Sequence, residues 1–193
     1  MFPVTEQQLR SMTDAARSDI WDLARQYGRE PKIYLHWTAG HYDQLFPEYH
    51  INITGSGAIY ASTDDLSDIL SHTYRRNTGA VGITLCCCCG ADTTDLGDEP
   101  PTYEQLWTIG RVITCIADGL WVTIDKAHVM THGEAADNED GIYPHEEYGP
   151  KTTCERWDLE YLGTASSLAF TPYGTARGGD ILRGIANWHR ARQ

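Results

Sequence analysis

The chain has 193 residues, 41% hydrophobic and 22% charged, with 15 Lys+Arg against 27 Asp+Glu and a formal net charge of −12. That length fits one domain able to bury its own core. The charge argues against a free-standing nucleic-acid binder, which needs a basic face to displace counterions, and against attachment to anionic lipid.

No apolar run approaches the roughly 18 residues of a membrane span, so no membrane insertion is expected. The start, Met1-Phe2-Pro3-Val4-Thr5-Glu6, lacks the basic and apolar stretches of a cleaved secretory signal, so synthesis in the cytoplasm is expected. Leu9, Met12, Ala16, Ile20, Leu23 and Tyr27 recur every three or four residues. They predict an amphipathic helix over residues 5–27, capped by Thr5 and stopped by Gly28. After Pro31, the run Lys32-Ile33-Tyr34-Leu35-His36-Trp37 reads as a buried strand with a polar end. Residues 49–53 and 58–60 flank Thr54-Gly55-Ser56-Gly57, the pattern of a hairpin. A further apolar strand is expected over residues 79–88.

Cys86, Cys87, Cys88 and Cys89 are consecutive. Neighbouring residues on a strand point to opposite faces, so these four cannot present one coordination shell, and they read as buried or half-buried thiols. Residues 91–101 read as an acidic loop, and Thr102 with Gln105 forms a capping box that opens a helix running to about Asp118. Ala127 to His132 reads as a short strand ending in histidine, residues 133–156 as a long acidic loop, and residues 178–192 as a closing helix. Loops that long inside compact domains commonly carry function. Strands alternating with helices predict a single α/β domain over residues 1–193, a central mixed sheet flanked by helices. Its core spans about 30–162, and the helices at 5–27 and 178–192 are extensions.

Of eight histidines, His36 and His132 stand where apolar strands end, the place where ligands gather in α/β sheets. A carboxylate from Glu155-Arg156-Trp157-Asp158 would complete a three-ligand zinc site with an open fourth position. The competing reading of each histidine is a satisfied core or surface side chain.

Six segments resemble, in order, the motifs of the zinc-dependent N-acetylmuramoyl-L-alanine amidases, the family of phage lysozyme-type amidases and peptidoglycan-recognition proteins. They are Ile33-Tyr34-Leu35-His36-Trp37-Thr38-Ala39-Gly40; Tyr49-His50-Ile51 with Gly55-Ser56-Gly57-Ala58-Ile59-Tyr60; the segment from Ser71 to Ile83; Pro101-Thr102-Tyr103-Glu104-Gln105-Leu106; Thr131-His132-Gly133-Glu134; and Arg156-Trp157-Asp158-Leu159. The resemblance implies that fold, with zinc (Zn2+) held by His36, His132 and Asp158 and with Cys154 as the rival third ligand. It implies Tyr49 and Arg156 as stabilisers of charge in the reaction, and Glu134 as either the general base or a positioning carboxylate. Thr84 stands where some members keep a glutamate base. His72, Arg75 and Trp37 are the expected substrate contacts, with Arg76 adding positive charge beside Arg75, and His50 faces away from the metal.

The implied reaction is hydrolysis of the amide between N-acetylmuramic acid and L-alanine in peptidoglycan. The implied setting is a phage or prophage endolysin, bacteriolytic and monomeric, acting on the cell wall after release by a holin-type partner. The alternatives are a non-catalytic peptidoglycan-binding module, an intracellular muropeptide-recycling amidase and an interbacterial toxin.

Overall fold

Thr5 starts the first helix as its cap. Its hydroxyl accepts the Gln8 amide N–H at 3.2 Å, while the Gln8 side chain accepts the Thr5 N–H at 2.8 Å. The computed structural model describes residues 1–91, 95–136, 139–140, 158–162 and 177–193. Its elements in chain order are β1 (Phe2–Pro3), α1 (Glu6–Arg25), β2 (Lys32–Trp37), β3 (Ile51–Ile53), β4 (Ile59–Ala61), β5 (Ala80–Leu85), α2 (Tyr103–Leu120), β6 (Val129–Thr131), α3 (His132–Ala136) and α4 (Gly178–Arg190). The strands form one sheet in the order β1-β4-β3-β5-β2-β6. β3, β5, β2 and β6 run parallel, and the β3–β4 hairpin and β1 add antiparallel edges, so the sheet is mixed. No helix among the described residues is long and apolar enough to cross a membrane.

The period-2 alternation of the strands divides the sheet into two unlike faces. Ile33, Leu35 and Trp37 of β2, Val81, Ile83 and Leu85 of β5, and Ile51 and Ile53 of β3 all join the main core. That core is completed by Leu9 and Ile20 of α1, Leu106, Ile109 and Ile113 of α2, and Leu182 and Ala186 of α4. α1 packs on α2 and α2 on α4, so the three long helices among the described residues cover this one face. The opposite face carries Tyr34 and Met130 together with polar side chains. There, His36 on β2, Thr84 on β5 and Asn52 on β3 lie in register across three strands, and all three are buried. A polar row on a sheet face that no long helix among the described residues covers marks where chemistry can be built.

Gln105 ties α2 to the strand ends. Its side-chain oxygen accepts the Thr102 N–H at 3.0 Å, as the capping-box pattern predicts. Its amide nitrogen donates to the carbonyls of Ile53 at 3.0 Å and Cys86 at 2.8 Å.

Three expectations are corrected. The apolar strand ends at Leu85, not at residue 88, and Cys88 lies at φ +67°. With alternation broken, the Cys87 and Cys88 sulfurs meet at 3.4 Å. Cys86, Cys87 and Cys88 are buried free thiols and Cys89 is half-buried. Burial also pushes the Cys86 thiol up to about 12. The second correction is at β6, which stops at Thr131, so His132 opens a helix instead of ending a strand.

His50 is a third correction: it packs on this polar face, its ring 5.5 Å from that of His72, where it was expected to face away from the metal, and it supplies a test of the packing. Its ring is fully buried, its Nε2–H donates to the Asp68 carbonyl at 2.8 Å, and its Nδ1 accepts the Gly82 N–H at 3.0 Å. Burial holds this imidazole down at about 4, against the opposing effect of the Asp68 carbonyl. In the unfolded chain the same ring titrates near 6.5. Between those values the unfolded chain holds a proton that the folded chain does not, so stability is full above pH ~6.5 and falls as pH drops towards 4. The expected loss is roughly 3 kcal/mol. Denaturant melts at steps from pH 7.5 to 4.5 should show it, with a shallower slope in His50→Gln.

Candidate metal centre

His36 comes from the carboxyl end of β2, His132 from the first turn of α3, and Asp158 from a segment 26 residues beyond His132. Asp158 Oδ2 lies 3.2 Å from Nδ1 of His36 and 3.2 Å from Nδ1 of His132. The two imidazoles meet at 4.8 Å between centroids, at 67°. His36 and Asp158 are buried, while the His132 side chain keeps 15% of its surface. Burial, helped by His132 and His72, holds the His36 imidazole well below its usual range, so the ring is neutral.

Neutral imidazoles and a carboxylate are the donor set zinc takes, and the spacing agrees. Two donors on a tetrahedral ion at Zn–N distances of about 2.0–2.1 Å stand roughly 3.3 Å apart. One ligand atom from each of the three side chains can be chosen so that all lie within 4.8 Å of one another. The residues present therefore fit a tetrahedral ion with three protein ligands.

The capping box explains where His132 points. Thr131 Oγ1 accepts the Glu134 N–H at 3.1 Å, and the Glu134 carboxylate accepts the Thr131 N–H at 3.0 Å. Thr131-His132-Gly133-Glu134 thus carries the reciprocal bonds of a helix start, with His132 held in its first turn. Gly133 N–H donates to the Asp158 carbonyl at 3.3 Å, bringing the third segment alongside.

A second set of bonds fixes His36 from behind. Its Nε2 lies 3.2 Å from Thr73 Oγ1, which lies 2.9 Å from His72 Nδ1. With Nδ1 of His36 left open to a metal, its Nε2–H donates to Thr73, and the Thr73 hydroxyl donates to His72. Asn77 Oδ1 in turn accepts the N–H groups of Thr73 at 2.7 Å and His72 at 3.2 Å. The His72 ring lies on Gly82, where a Cβ would stand 2.5 Å from its Cγ.

No protein-family model and no curated protein matches the chain. Solved structures that align with it include the endolysin N-acetylmuramoyl-L-alanine amidase LysCS from Clostridium intestinale URNW. That alignment covers 56% of this chain and 72% of LysCS at 18% identity, with a TM-score of 0.40. Wild-type Drosophila PGRP-LB aligns over 77% of this chain and 87% of its own at 19% identity, with a TM-score of 0.41.

The remaining expected site residues divide. Tyr49 is half-buried beside His36, its ring centroid 4.9 Å from the imidazole. Arg75 is exposed, at φ +58° with its guanidinium 5.2 Å from the Tyr74 ring centre. Arg156 and Cys154 lie outside the described residues.

Three expectations change. Trp37 alternates with His36 and is buried in the helix-side core at 4% exposure, so it does not line the site. His72 is buried at 6% exposure behind His36, where it supports the site and is not displayed in a groove. Glu134 is not available as a base: its two oxygens accept both terminal nitrogens of Arg183 at 2.8 Å, in addition to the Thr131 N–H.

Arg76 does not join Arg75 at the surface. It is buried and forms a two-pronged pair with Asp140, at 2.7 and 2.8 Å. Thr73 and Arg183 carry no local sequence signal. The Thr-x-x-Glu spacing at Thr131 was the one pattern that could have placed His132 on a helix.

Proposed function

We propose that this chain is a zinc-dependent amidase that hydrolyses the bond between N-acetylmuramic acid and L-alanine in peptidoglycan. The observation that carries the proposal is the meeting of His36, His132 and Asp158 on one sheet face with Tyr49 beside them. The six ordered motifs support the substrate assignment. An endolysin role, with access to the wall opened by a holin-type partner, is part of this proposal and rests on the resemblance alone.

Zinc, when bound, supplies Lewis-acid polarisation of the amide carbonyl and acidifies water. The chain's own groups do the rest. His36 and His132 present donor nitrogens, that of His36 on a neutral ring, and Thr73 holds the His36 tautomer from the far side. Tyr49 places a phenol next to His36, where its O–H can donate to the oxygen that gains charge as the carbonyl becomes tetrahedral. Arg156, two residues before Asp158 in the sequence, would add a fixed cation to the same charge. Arginine does not give up its proton, so that role is stabilisation, not acid catalysis. Thr84 at the polar row cannot act as a base, and Glu134 is committed to Arg183. Tyr49 is therefore the described side chain next to His36 best placed to pass a proton. Arg75, at the surface of the 72–76 segment, is proposed to hold a stem-peptide carboxylate.

The test uses purified protein and intact sacculi, with zinc and with a chelator. Zinc-loaded protein is expected to release peptides with new L-alanine amino termini, and chelated protein none. Mass spectrometry of the digest that shows no such termini overturns the proposal.

A further inference from the structure

The two segments that carry His132 and Asp158 are joined by the start of the last helix. Arg183, 7% exposed, crosses from α4 to make a two-pronged pair with Glu134, 1% exposed, and also donates to the Val129 carbonyl of β6 at 2.8 Å. On the other side, Gly178 N–H donates to the Glu160 carbonyl at 2.8 Å, and Arg177 pairs with the Glu160 carboxylate at 2.9 Å and with Glu139. The fit leaves no room. A Cβ on Gly178 would lie 1.9 Å from the Leu159 carbonyl, and one on Gly179 2.6 Å from the Glu134 carboxylate. Gly133 is packed the same way against Glu160, at 2.7 Å.

We infer that α4 is part of the metal centre: Arg183 is a positioning residue that fixes His132 through Glu134, and the Gly178–Gly179 start of the helix sets the spacing between the His132 and Asp158 segments. The physical reason is that α3 is only five residues long, too short to hold a ligand by itself. Its capping carboxylate is a rigid handle, and a buried guanidinium fork fixes both position and plane of a carboxylate. Without Arg183, the Glu134 charge is buried and unmatched, and the first turn of α3 must rearrange to bring it to water. His132 moves with that turn.

The inference rests on the metal reading, and the experiment separates the two. Zinc affinity is measured by chelator competition, and cobalt(II) spectra report ligand geometry, for the wild type, Arg183→Met, Arg183→Lys, Glu134→Gln and Asp180→Asn. Arg183→Met and Glu134→Gln are expected to lose 10–100-fold in zinc affinity and to shift the cobalt bands. Arg183→Lys should recover part of the loss. Asp180 is exposed and meets Arg183 from outside, so Asp180→Asn should stay within about twofold.

If the wild type binds neither ion, the metal reading fails and this inference with it. If the wild type binds and both Glu134→Gln and Arg183→Met bind as tightly, with changed melting temperature only, α4 is merely structural and the inference is overturned. Should Arg183→Met not fold, the near-isosteric Glu134→Gln decides.

Discussion

Asp158→Ala is expected to lower bound zinc from about one ion per chain to near zero after dialysis, and amidase turnover by ~10³-fold or more, equivalent to roughly 4 kcal/mol. Asp158 Oδ2 is the atom both histidine nitrogens share, each at 3.2 Å, so its loss removes a ligand and also the common point that aligns the other two. Two imidazoles alone on a half-open face are a poor zinc site. The fold should survive. The core lies on the other side of the sheet, and melting temperatures of variant and wild type in chelator should agree within a few degrees. Metal analysis with paired melts checks both halves of the statement. Full retention of zinc in this variant, or loss in Cys154→Ala but not here, would show that Asp158 is not the third ligand.

The second large effect is on the fold. Gly79 leads into β5 at φ +68°, and its backbone lies against the end of α1, where a Cβ would stand 2.5 Å from Ala24 N and 2.6 Å from Ala24 Cα. Gly79→Ala therefore meets two penalties. The left-handed backbone costs about 1–2 kcal/mol for any other residue, and backbone atoms of a packed helix cannot turn aside as a side-chain tip can. Together they amount to about 3–5 kcal/mol, or a drop of ~10–15 °C in melting temperature for a chain of this size. Gly28 has nearly the same φ, +67°, but open space around its Cβ position. Gly28→Ala should show the conformational part alone, so the difference between the two variants isolates the clash. Equal melting temperatures for Gly79→Ala and wild type would rule the packing argument out.

Much of this architecture is written in local patterns. The three-and-four spacing from Leu9 to Leu23, the Thr102–Gln105 box and the apolar run ending at His36 each correspond to an element found where it was expected. His36 was legible for that reason, because a polar residue near the carboxyl end of a buried apolar run stands out in a recognisable place. What could not be read were pairings across the chain. Glu134 resembles a catalytic base until Arg183, 49 residues away, is seen to occupy it. Trp37 looks like a groove residue because it follows the candidate ligand His36, yet that same adjacency turns it to the opposite face. Arg75 and Arg76 are chemically identical in sequence, and only the bend of the chain there sends one to solvent and the other to Asp140. Thr73 has no periodic signature at all, since its importance is set by a hydroxyl that happens to lie between two rings.

The donors that meet at Asp158 come from far apart along the chain, with His36 lying 122 residues before it. Closing a loop of that length costs entropy that no bond between the three side chains could repay, so they converge only after the sheet and its helices have assembled. An ion that needs all three therefore binds through a site that only the native state assembles, in competition with the thiols that unfolding exposes. By mass action such an ion stabilises the fold: each tenfold rise in free metal above its dissociation constant adds at most about 1.4 kcal/mol to the folded state, less what the exposed thiols of the unfolded chain bind. The melting temperature of the wild type thus becomes a gauge of site occupancy that needs no substrate.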